Sequence, residues 1–222
     1  MDSMRSALPA RVFWILWTAG LASWVTGLVF LSGYDLALSA SVLDESSVFG
    51  QAVAVGGEWP AWAVVVSCVV ILILGRKDGS YLRSWRPLAW AIIILALIEP
   101  LIITQSLKHL WGRVRFRNLG PGAAGFTPFF LPAGPGAGES FPSGHAAMAF
   151  VMTPIVFFLS RVGTRLVTWA ALSVVLTYGF LVSWGRIIAG AHYLTDCLFS
   201  AGASFLLSAI IVRQLLRRVE TQ

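Results

Sequence analysis

The sequence predicts an all-α, polytopic membrane protein with six transmembrane helices and cytoplasmic N- and C-termini. Hydrophobic residues make up 57% of the 222 residues, and charged residues only 12%, against about 25% in soluble domains. The apolar residues also fall into six long runs, and about 20 such residues form a helix that crosses the hydrocarbon core. The length fits one domain, residues 1–222.

The six predicted spans are joined by polar connections. Their approximate bounds are 12–33, 59–75, 87–105, 145–160, 167–184 and 194–212. The first span has an alternative interpretation as a cleavable signal peptide, but its apolar run is longer than the 7–15 residues typical of one. Glu99 and Pro100 interrupt the third span. The connection between the first two spans is predicted to be an acidic loop that contains Asp35, Asp44, Glu45 and Glu58.

The distribution of Lys and Arg predicts the orientation. With the N-terminus inside, eleven of the sixteen basic residues face the cytoplasm, as expected for short membrane loops. These are Arg5, Arg11, Arg76, Lys77, Arg83, Arg86, Arg161, Arg165, Arg213, Arg217 and Arg218. The other five, which topology does not explain, are Lys108, Arg113, Arg115, Arg117 and Arg186. Because basic residues beside spans are common, the net charge of +6 does not indicate a nucleic-acid partner.

The tetrapeptide Pro142-Ser143-Gly144-His145 directly precedes the fourth span. A Ser-Gly pair at a helix start presents free backbone N–H groups and the positive end of the helix dipole, which together attract an anion. Ser143 either caps the helix or turns its hydroxyl to the anion. Gly144 lets the backbone approach the anion closely, and His145 is positioned to donate a proton. The alternative is a simple helix cap with an interfacial histidine.

A second cluster follows the third span. Lys108 and Arg115 are seven residues apart, so they share one face if that helix continues so far. Two cations on the outer side indicate a bound anion. Arginine can bind a phosphate through two parallel N–H groups, and lysine adds a point charge. Anchoring to lipid head groups is the alternative. His109 points elsewhere on such a helix and is predicted to be interfacial.

The third cluster comprises Arg186, His192 and Asp196. His192 and Asp196 are four residues apart, which makes them neighbours on a helix. A carboxylate bonded to one imidazole nitrogen fixes the tautomer and leaves the other nitrogen as a nucleophile or base. A purely structural hydrogen-bonded pair is the alternative. No metal site is predicted, since the histidines and acids lack ligand spacing, and no cofactor is predicted either.

Together the three clusters resemble the motifs of the type 2 phosphatidic acid phosphatase (PAP2) superfamily, in its membrane-bound lipid phosphatase branch. The family motifs K-x6-R-P, P-S-G-H and S-R-x5-H-x3-D correspond in order and spacing to segments 108–116, 142–145 and 185–196. Two residues depart from them. Phe116 replaces Pro, which relaxes the backbone after Arg115, and Gly185 replaces Ser, which removes a hydroxyl.

The resemblance implies a role for each matched residue. His192, oriented by Asp196, would attack phosphorus and form a phosphohistidine, while His145 would protonate the leaving oxygen. The phosphoryl oxygens would be held by Lys108, Arg115, Ser143, Gly144 and Arg186. Arg113 and Arg117 lie outside the motifs and are predicted to bind a second phosphate or a lipid head group.

The predicted function is metal-independent hydrolysis of a lipid phosphomonoester or pyrophosphate at the outer face of a plasma membrane, such as a bacterial inner membrane. Undecaprenyl pyrophosphate, phosphatidylglycerol phosphate, phosphatidic acid and lipid A all remain open as substrates. One alternative is a lipid phosphotransferase that uses the same histidine. Another is a non-enzymatic anion or lipid transporter, although the inverted repeats common in transporters are not visible.

Two further features have more than one interpretation. Segment 126–131 is apolar although it belongs to the outer connection, so it either dips into the bilayer or packs as an ordinary loop. Glu99 is a carboxylate within a span, a position that often signals function. The carbonyls freed by Pro100 offer a structural explanation, and we therefore leave Glu99 out of the site. No protein partner is predicted.

Overall fold

The computed structural model describes residues 8–77 and 79–220, and within these ranges regular structure is helical, with no β-strand. Six helical stretches of the described chain are long and apolar enough to cross a membrane. They are Ala10–Val42, Val48–Leu74, Tyr81–Asn118, Gly144–Val162, Arg165–Ile188 and Leu194–Val219. The prediction of six spans is therefore confirmed. Arg5, which contributes to the predicted orientation, lies outside the described residues, and the orientation stays a prediction.

The six stretches contain ten α-helices in the described part of the chain. They are α1 (Ala10–Leu31), α2 (Asp35–Val42), α3 (Val48–Gly56), α4 (Trp59–Leu74), α5 (Arg86–Ala96), α6 (Thr104–Trp111), α7 (Gly144–Phe150), α8 (Thr153–Val162), α9 (Arg165–Ile188) and α10 (Leu194–Glu220). A π-helix, Leu97–Ile103, joins α5 to α6. Single 3₁₀ turns occupy Ser32–Tyr34, Tyr81–Trp85, Phe116–Asn118 and Pro121–Ala123.

The connection predicted as an acidic loop is mostly helical, and that prediction is wrong. The turn Ser32–Tyr34 continues α1 into α2, and α3 begins after Ser47, whose hydroxyl oxygen accepts the N–H of Gly50. Helix α3 packs against α9, and α2 packs against both α9 and α10. The buried residues are Gly50 and Val53 in α3 and the polar Asp35 and Ser39 in α2. The connection thus covers one end of the bundle instead of projecting into solvent.

Proline shapes two of the spans. Pro100 has no N–H to donate within a helix, and the chain forms the π-helix around it, with Glu99 fully buried. In the fourth span, a turn at residues 151–152 separates α7 from α8, and Pro154 occupies the first turn of α8, where its missing N–H is harmless. These two irregular segments pack against each other through α7, close to the residues of the three motifs.

Helix α10 is the centre of the bundle and packs against α1, α5, α7 and α8. Small residues allow these close contacts, as is common between membrane helices. A Cβ on Gly202 would lie 2.1 Å from the indole nitrogen of Trp24 in α1, and one on Gly179 of α9 would lie 2.2 Å from the ring of Phe150 in α7. Tight packing therefore holds the end of α7 against α9, and α1 against α10.

Candidate active site

The end of α6 brings the first motif to the start of α7. An added Cβ on Gly144 would lie 3.9 Å from the Lys108 Nζ, so the ammonium group stands beside Gly144. Helix α6 ends at Trp111, and Gly112 has a left-handed conformation with φ of 68°. Arg115 therefore follows the helix in extended backbone. The helix does not continue as far as the prediction of a common face required, so Lys108 and Arg115 do not share one. The turn nevertheless keeps Arg115 within electrostatic range of Lys108.

Lys108, Arg115 and Arg186 form one cluster of positive charge, because each acts electrostatically on the other two. Glu139 offsets this charge in part, with its Oε2 3.6 Å from the Nη2 of Arg115. The Nε atoms of Arg115 and Arg186 are buried and have no hydrogen-bond partner among the described residues. Buried donors of this kind are normally satisfied, and an oxyanion would satisfy them.

The same cations act on both motif histidines. The charges of Lys108 and Arg186 reach His145 and also His192. The residues predicted to form the site therefore come together at one end of the bundle. The two imidazoles differ in exposure, since His192 is 1% exposed and the side chain of His145 is 24% exposed.

The surroundings of His192 define its tautomer. Its Nδ1 lies 2.6 Å from the carbonyl oxygen of Ser140. A carbonyl can only accept, so Nδ1 carries the proton and the neutral ring keeps an unprotonated Nε2. Burial lowers the pKa of His192 to about 4, although the nearby Asp196 acts in the opposite direction. The imidazole is therefore neutral at pH 7, with Nε2 available as a nucleophile.

Asp196 lies beside His192, and Ser140 provides a second link between the two residues. Its Oδ2 lies 3.8 Å from the His192 Nδ1 and accepts hydrogen bonds from the Ser140 hydroxyl at 2.5 Å and the Tyr193 N–H at 2.8 Å. His192 precedes α10, so the two residues are not neighbours on a helix. Asp196 instead binds a backbone N–H at the helix start, as in a capping box. Ser140 thus connects the carboxylate to the imidazole.

Arg113 is enclosed in the protein, at 0% exposure. Its Nη2 donates to the Oδ2 of Asp35 at 2.8 Å and its Nη1 to the Oδ1 of Asp196 at 2.5 Å, while its Nε donates to the Thr127 carbonyl at 2.9 Å. The guanidinium also lies over the Tyr193 ring, 4.0 Å from its centroid. This burial does not fit the head-group or second-phosphate role predicted for Arg113, and we replace that role by a structural one.

Asp35 is a partner of Arg113 that the sequence did not predict. It is fully buried at the start of α2. Its Oδ1 accepts the Thr195 N–H at 3.0 Å, and its Oδ2 accepts from Arg113 and from the Thr195 hydroxyl. Sequence reasoning grouped Asp35 with the acids of a loop. Its position directly after an apolar span was a usable signal, because a carboxylate at that depth requires a partner.

The remaining predicted residues lie at the edge of the site. Ser143 is the N-cap of α7, because its Oγ accepts the Ala146 N–H at 3.3 Å. Arg117 is exposed, and its backbone N–H donates to the Gly190 carbonyl. His109 is also exposed. In segment 126–131, Phe129 is buried against Phe141, whereas Phe130 and Leu131 are exposed.

His145 has two acceptors that were not predicted. Its Nε2 lies 3.2 Å from the carbonyl oxygen of Ala54, at the end of α3, and its Nδ1 lies 3.3 Å from the Oε1 of Glu58. Both belong to the connection that the sequence analysis took for a loop. The pattern of hydrophobic residues gave no indication that this connection folds back over the site.

The two departures from the family motifs have structural counterparts. A Cβ on Gly185 would lie 2.7 Å from the Cγ2 of Val53 in α3, so a serine at this position would clash. Phe116 begins the turn Phe116–Asn118, at a position where proline is also tolerated. Its ring packs edge-on against Tyr193, next to His192. Gly185 thus permits the close approach of α3.

A family model for the PAP2 superfamily matches residues 87–220. The chain belongs to this superfamily. The match covers all three motif segments, and the superfamily indicates phosphatase activity on phosphate esters. No curated protein and no solved structure matches significantly. Asp35, Ala54 and Glu58 precede the matched residues. Within the described residues, no three His, Cys, Asp or Glu side chains are grouped so that they could hold a metal ion.

Proposed function

We propose that the protein hydrolyses a lipid phosphomonoester or diphosphate through a phosphohistidine formed on His192. The observation that carries the proposal is the short contact between the His192 Nδ1 and the Ser140 carbonyl. This contact supports a neutral imidazole with a free electron pair on Nε2. The adjacent cluster of Lys108, Arg115 and Arg186 supports binding of the phosphoryl group.

The reaction proceeds in two displacements. The Nε2 of His192 attacks phosphorus, the bond from phosphorus to the leaving oxygen breaks, and His145 transfers a proton to that oxygen. Water then attacks the phosphohistidine and returns a proton to His145, which releases phosphate and frees His192. Throughout, Lys108, Arg115 and Arg186 stabilise the charge on the transferred group, as in other phosphoryl transfers. The N–H of Gly144 and the hydroxyl of Ser143 are further donors, and exposed Arg117 contacts the head group.

A groove beside Gly144 supports a lipid substrate. Its volume is about 270 Å³ and it lies between α4 and the π-helix region. Apolar residues dominate its lining, which includes Glu58, Trp62, Val65, Ile93, Ala96, Leu97, Pro100, Leu101, Gln105, Gly144 and Met148. Because Gly144 belongs to both the groove and the phosphate site, a hydrocarbon chain in the groove would place its phosphate beside Lys108. We propose that this site faces the exterior or periplasm, on the basis of the Lys and Arg distribution.

Phosphate release from a panel of lipid phosphates in detergent tests the proposal. Wild-type protein is expected to release phosphate from at least one lipid, with or without EDTA. The His192→Ala variant is expected to lose at least a thousandfold in rate, since it has no nucleophile. Retained turnover by the variant would exclude His192. Labelled acceptor lipid without free phosphate would indicate a phosphotransferase, and a wild type inactive on every lipid would contradict hydrolysis.

A further inference from the structure

His145 is held between two groups that can only accept hydrogen bonds. The Ala54 carbonyl lies 3.2 Å from its Nε2, and the Glu58 carboxylate lies 3.3 Å from its Nδ1. A neutral imidazole has one N–H and would leave one of these acceptors facing a lone pair. Only the imidazolium form presents a proton to both. The geometry around His145 therefore favours the doubly protonated ring, which is the form that a general acid needs.

Several helices hold these two acceptors in position. Trp62 in α4 donates its indole N–H to the Oε2 of Glu58 at 3.4 Å, which leaves Oε1 directed at His145. Tyr178 in α9 donates its hydroxyl to the Gly57 carbonyl at 2.6 Å, immediately before Glu58. Ala54 belongs to the last turn of α3. Glu58 is therefore a fixed component of the bundle, although its side chain is 28% exposed.

Burial and two neighbouring cations oppose protonation of His145, whereas Glu58 favours it. Lys108 of α6 and Arg186 of α9 are the cations that act on the imidazole, and Glu58 is the carboxylate that acts on it. Two positive charges disfavour a third nearby, whereas a carboxylate within about 4 Å favours it. The cations that suit the phosphoryl group would thus leave His145 neutral and unable to act as an acid. Glu58 counteracts this effect.

We infer that Glu58 is a positioning residue that favours the imidazolium form of His145 and aims its Nε2–H at the leaving oxygen. This inference rests on the proposed function. The leaving oxygen replaces the Ala54 carbonyl as the acceptor of Nε2–H, while Glu58 retains the Nδ1–H. After proton transfer, His145 is neutral with a free Nε2, and this nitrogen takes the proton from water in the second displacement. Glu58 itself neither gains nor loses a proton.

Titration of His145 in the absence of substrate tests the first part. The chain contains three histidines, so the ¹⁵N imidazole signals in detergent can be assigned with His109→Gln and His145→Gln variants. In the Glu58→Gln variant, the titration midpoint of His145 is expected to fall by about one pH unit. Glu45→Gln removes an exposed carboxylate from the same connection and is the matched control, with an unchanged midpoint. An unchanged midpoint in Glu58→Gln would overturn the inference.

The pH dependence of catalysis tests the second part. An acid acts while protonated, so activity declines as the pH rises through the His145 midpoint. Glu58→Gln is expected to move this decline about one unit lower and to reduce kcat about tenfold for an alkyl phosphate, with KM little changed. The loss is expected to be smaller for p-nitrophenyl phosphate, whose leaving group needs less protonation. Equal losses on both substrates would overturn the acid-positioning role.

Two further results distinguish a failure of the proposed function from a failure of the inference about Glu58. If the wild type releases no phosphate from any substrate, the proposed function fails, while the substrate-free titration still reports on the pairing of Glu58 with His145. If Glu58→Gln does not fold, Trp62→Phe removes only the donor to the Glu58 Oε2. This variant is expected to shift the His145 midpoint in the same direction by a smaller amount. No shift in Trp62→Phe would count against the inference in that case.

Discussion

The two histidines of the site are held in opposite ways. His192 is sealed from solvent, and its ring is fixed by Ser140 and, through it, by the buried group of Asp196, Arg113 and Asp35. His145 is partly exposed beside the apolar groove and faces Glu58 and Ala54. In the proposed mechanism, the nucleophile His192 benefits from one fixed position and a neutral ring. The general acid His145 must be charged, and partial exposure to solvent favours a charged ring.

The groups that hold His192 and those that hold His145 should also contribute differently to the free energy of unfolding. A buried charge that loses its partner is left without water and destabilises the fold strongly. A partly exposed pair such as Glu58 and His145 is screened by solvent and contributes much less. The structure therefore predicts that the His192 side determines the stability of the bundle, while the His145 side affects mainly the pH dependence of the reaction.

The largest effect is expected from Arg113→Met. This variant leaves Asp35 and Asp196 buried without their cation, and we expect the free energy of unfolding to fall by about 3–5 kcal/mol. Thermal or denaturant unfolding in detergent measures this change. Arg117→Met is the control, because Arg117 is four residues away and exposed. Similar melting of Arg113→Met and wild type would show that the buried charge group is unimportant for stability.

A somewhat smaller loss of folding stability is expected when the pH falls. The pKa of His192 is about 4 in the folded protein, against about 6.5 in an unfolded chain. The unfolded state therefore binds a proton first as the pH falls, so stability declines between about pH 6.5 and pH 4, by about 3 kcal/mol in total. His192→Asn, which keeps a donor for the Ser140 carbonyl, should lack this part of the pH dependence. An identical slope in that variant would contradict the assignment to His192.

The grouping of the motif residues in one candidate site could be predicted because they have a characteristic order and spacing. The cluster of Lys108, Arg115 and Arg186 forms as expected, and the six spans follow from the length and apolarity of their runs. Arg113 shows the limit of this reasoning. It has the same charge as its neighbours in the chain, and only the folded structure shows that it turns inward to Asp35 and Asp196.

The missed residues share a physical cause. Asp35 meets Thr195 across 160 residues of sequence, Ser140 meets His192 across 52, and Ala54 meets His145 across 91. Such contacts depend on how helices pack, and local composition does not encode them. The connection between the first two spans was predicted to be an acidic loop. Buried Asp35 and the packed helix α3 contradict that prediction.

The smallest effect is expected where α3 approaches α9. Gly185→Ser would place its Cβ 2.7 Å from the Val53 Cγ2, and overpacking of this kind destabilises by about 1–3 kcal/mol. Because α3 carries Ala54, its displacement should change the titration of His145 and leave that of His192 unaltered. The ¹⁵N imidazole titration in detergent measures both rings in the same sample.

A second substitution separates the clash from other effects of the added hydroxyl. Val53→Ala removes Cγ2, the atom nearest to the new Cβ, and leaves the Val53 Cβ at 2.8 Å. The double variant should therefore regain part of the stability that Gly185→Ser loses. Two substitutions in contact are expected to be non-additive in this direction. Additive losses would mean that α3 does not rest on Gly185. A shift in the His192 titration would mean that the two halves of the site are coupled, against the separation inferred from their surroundings.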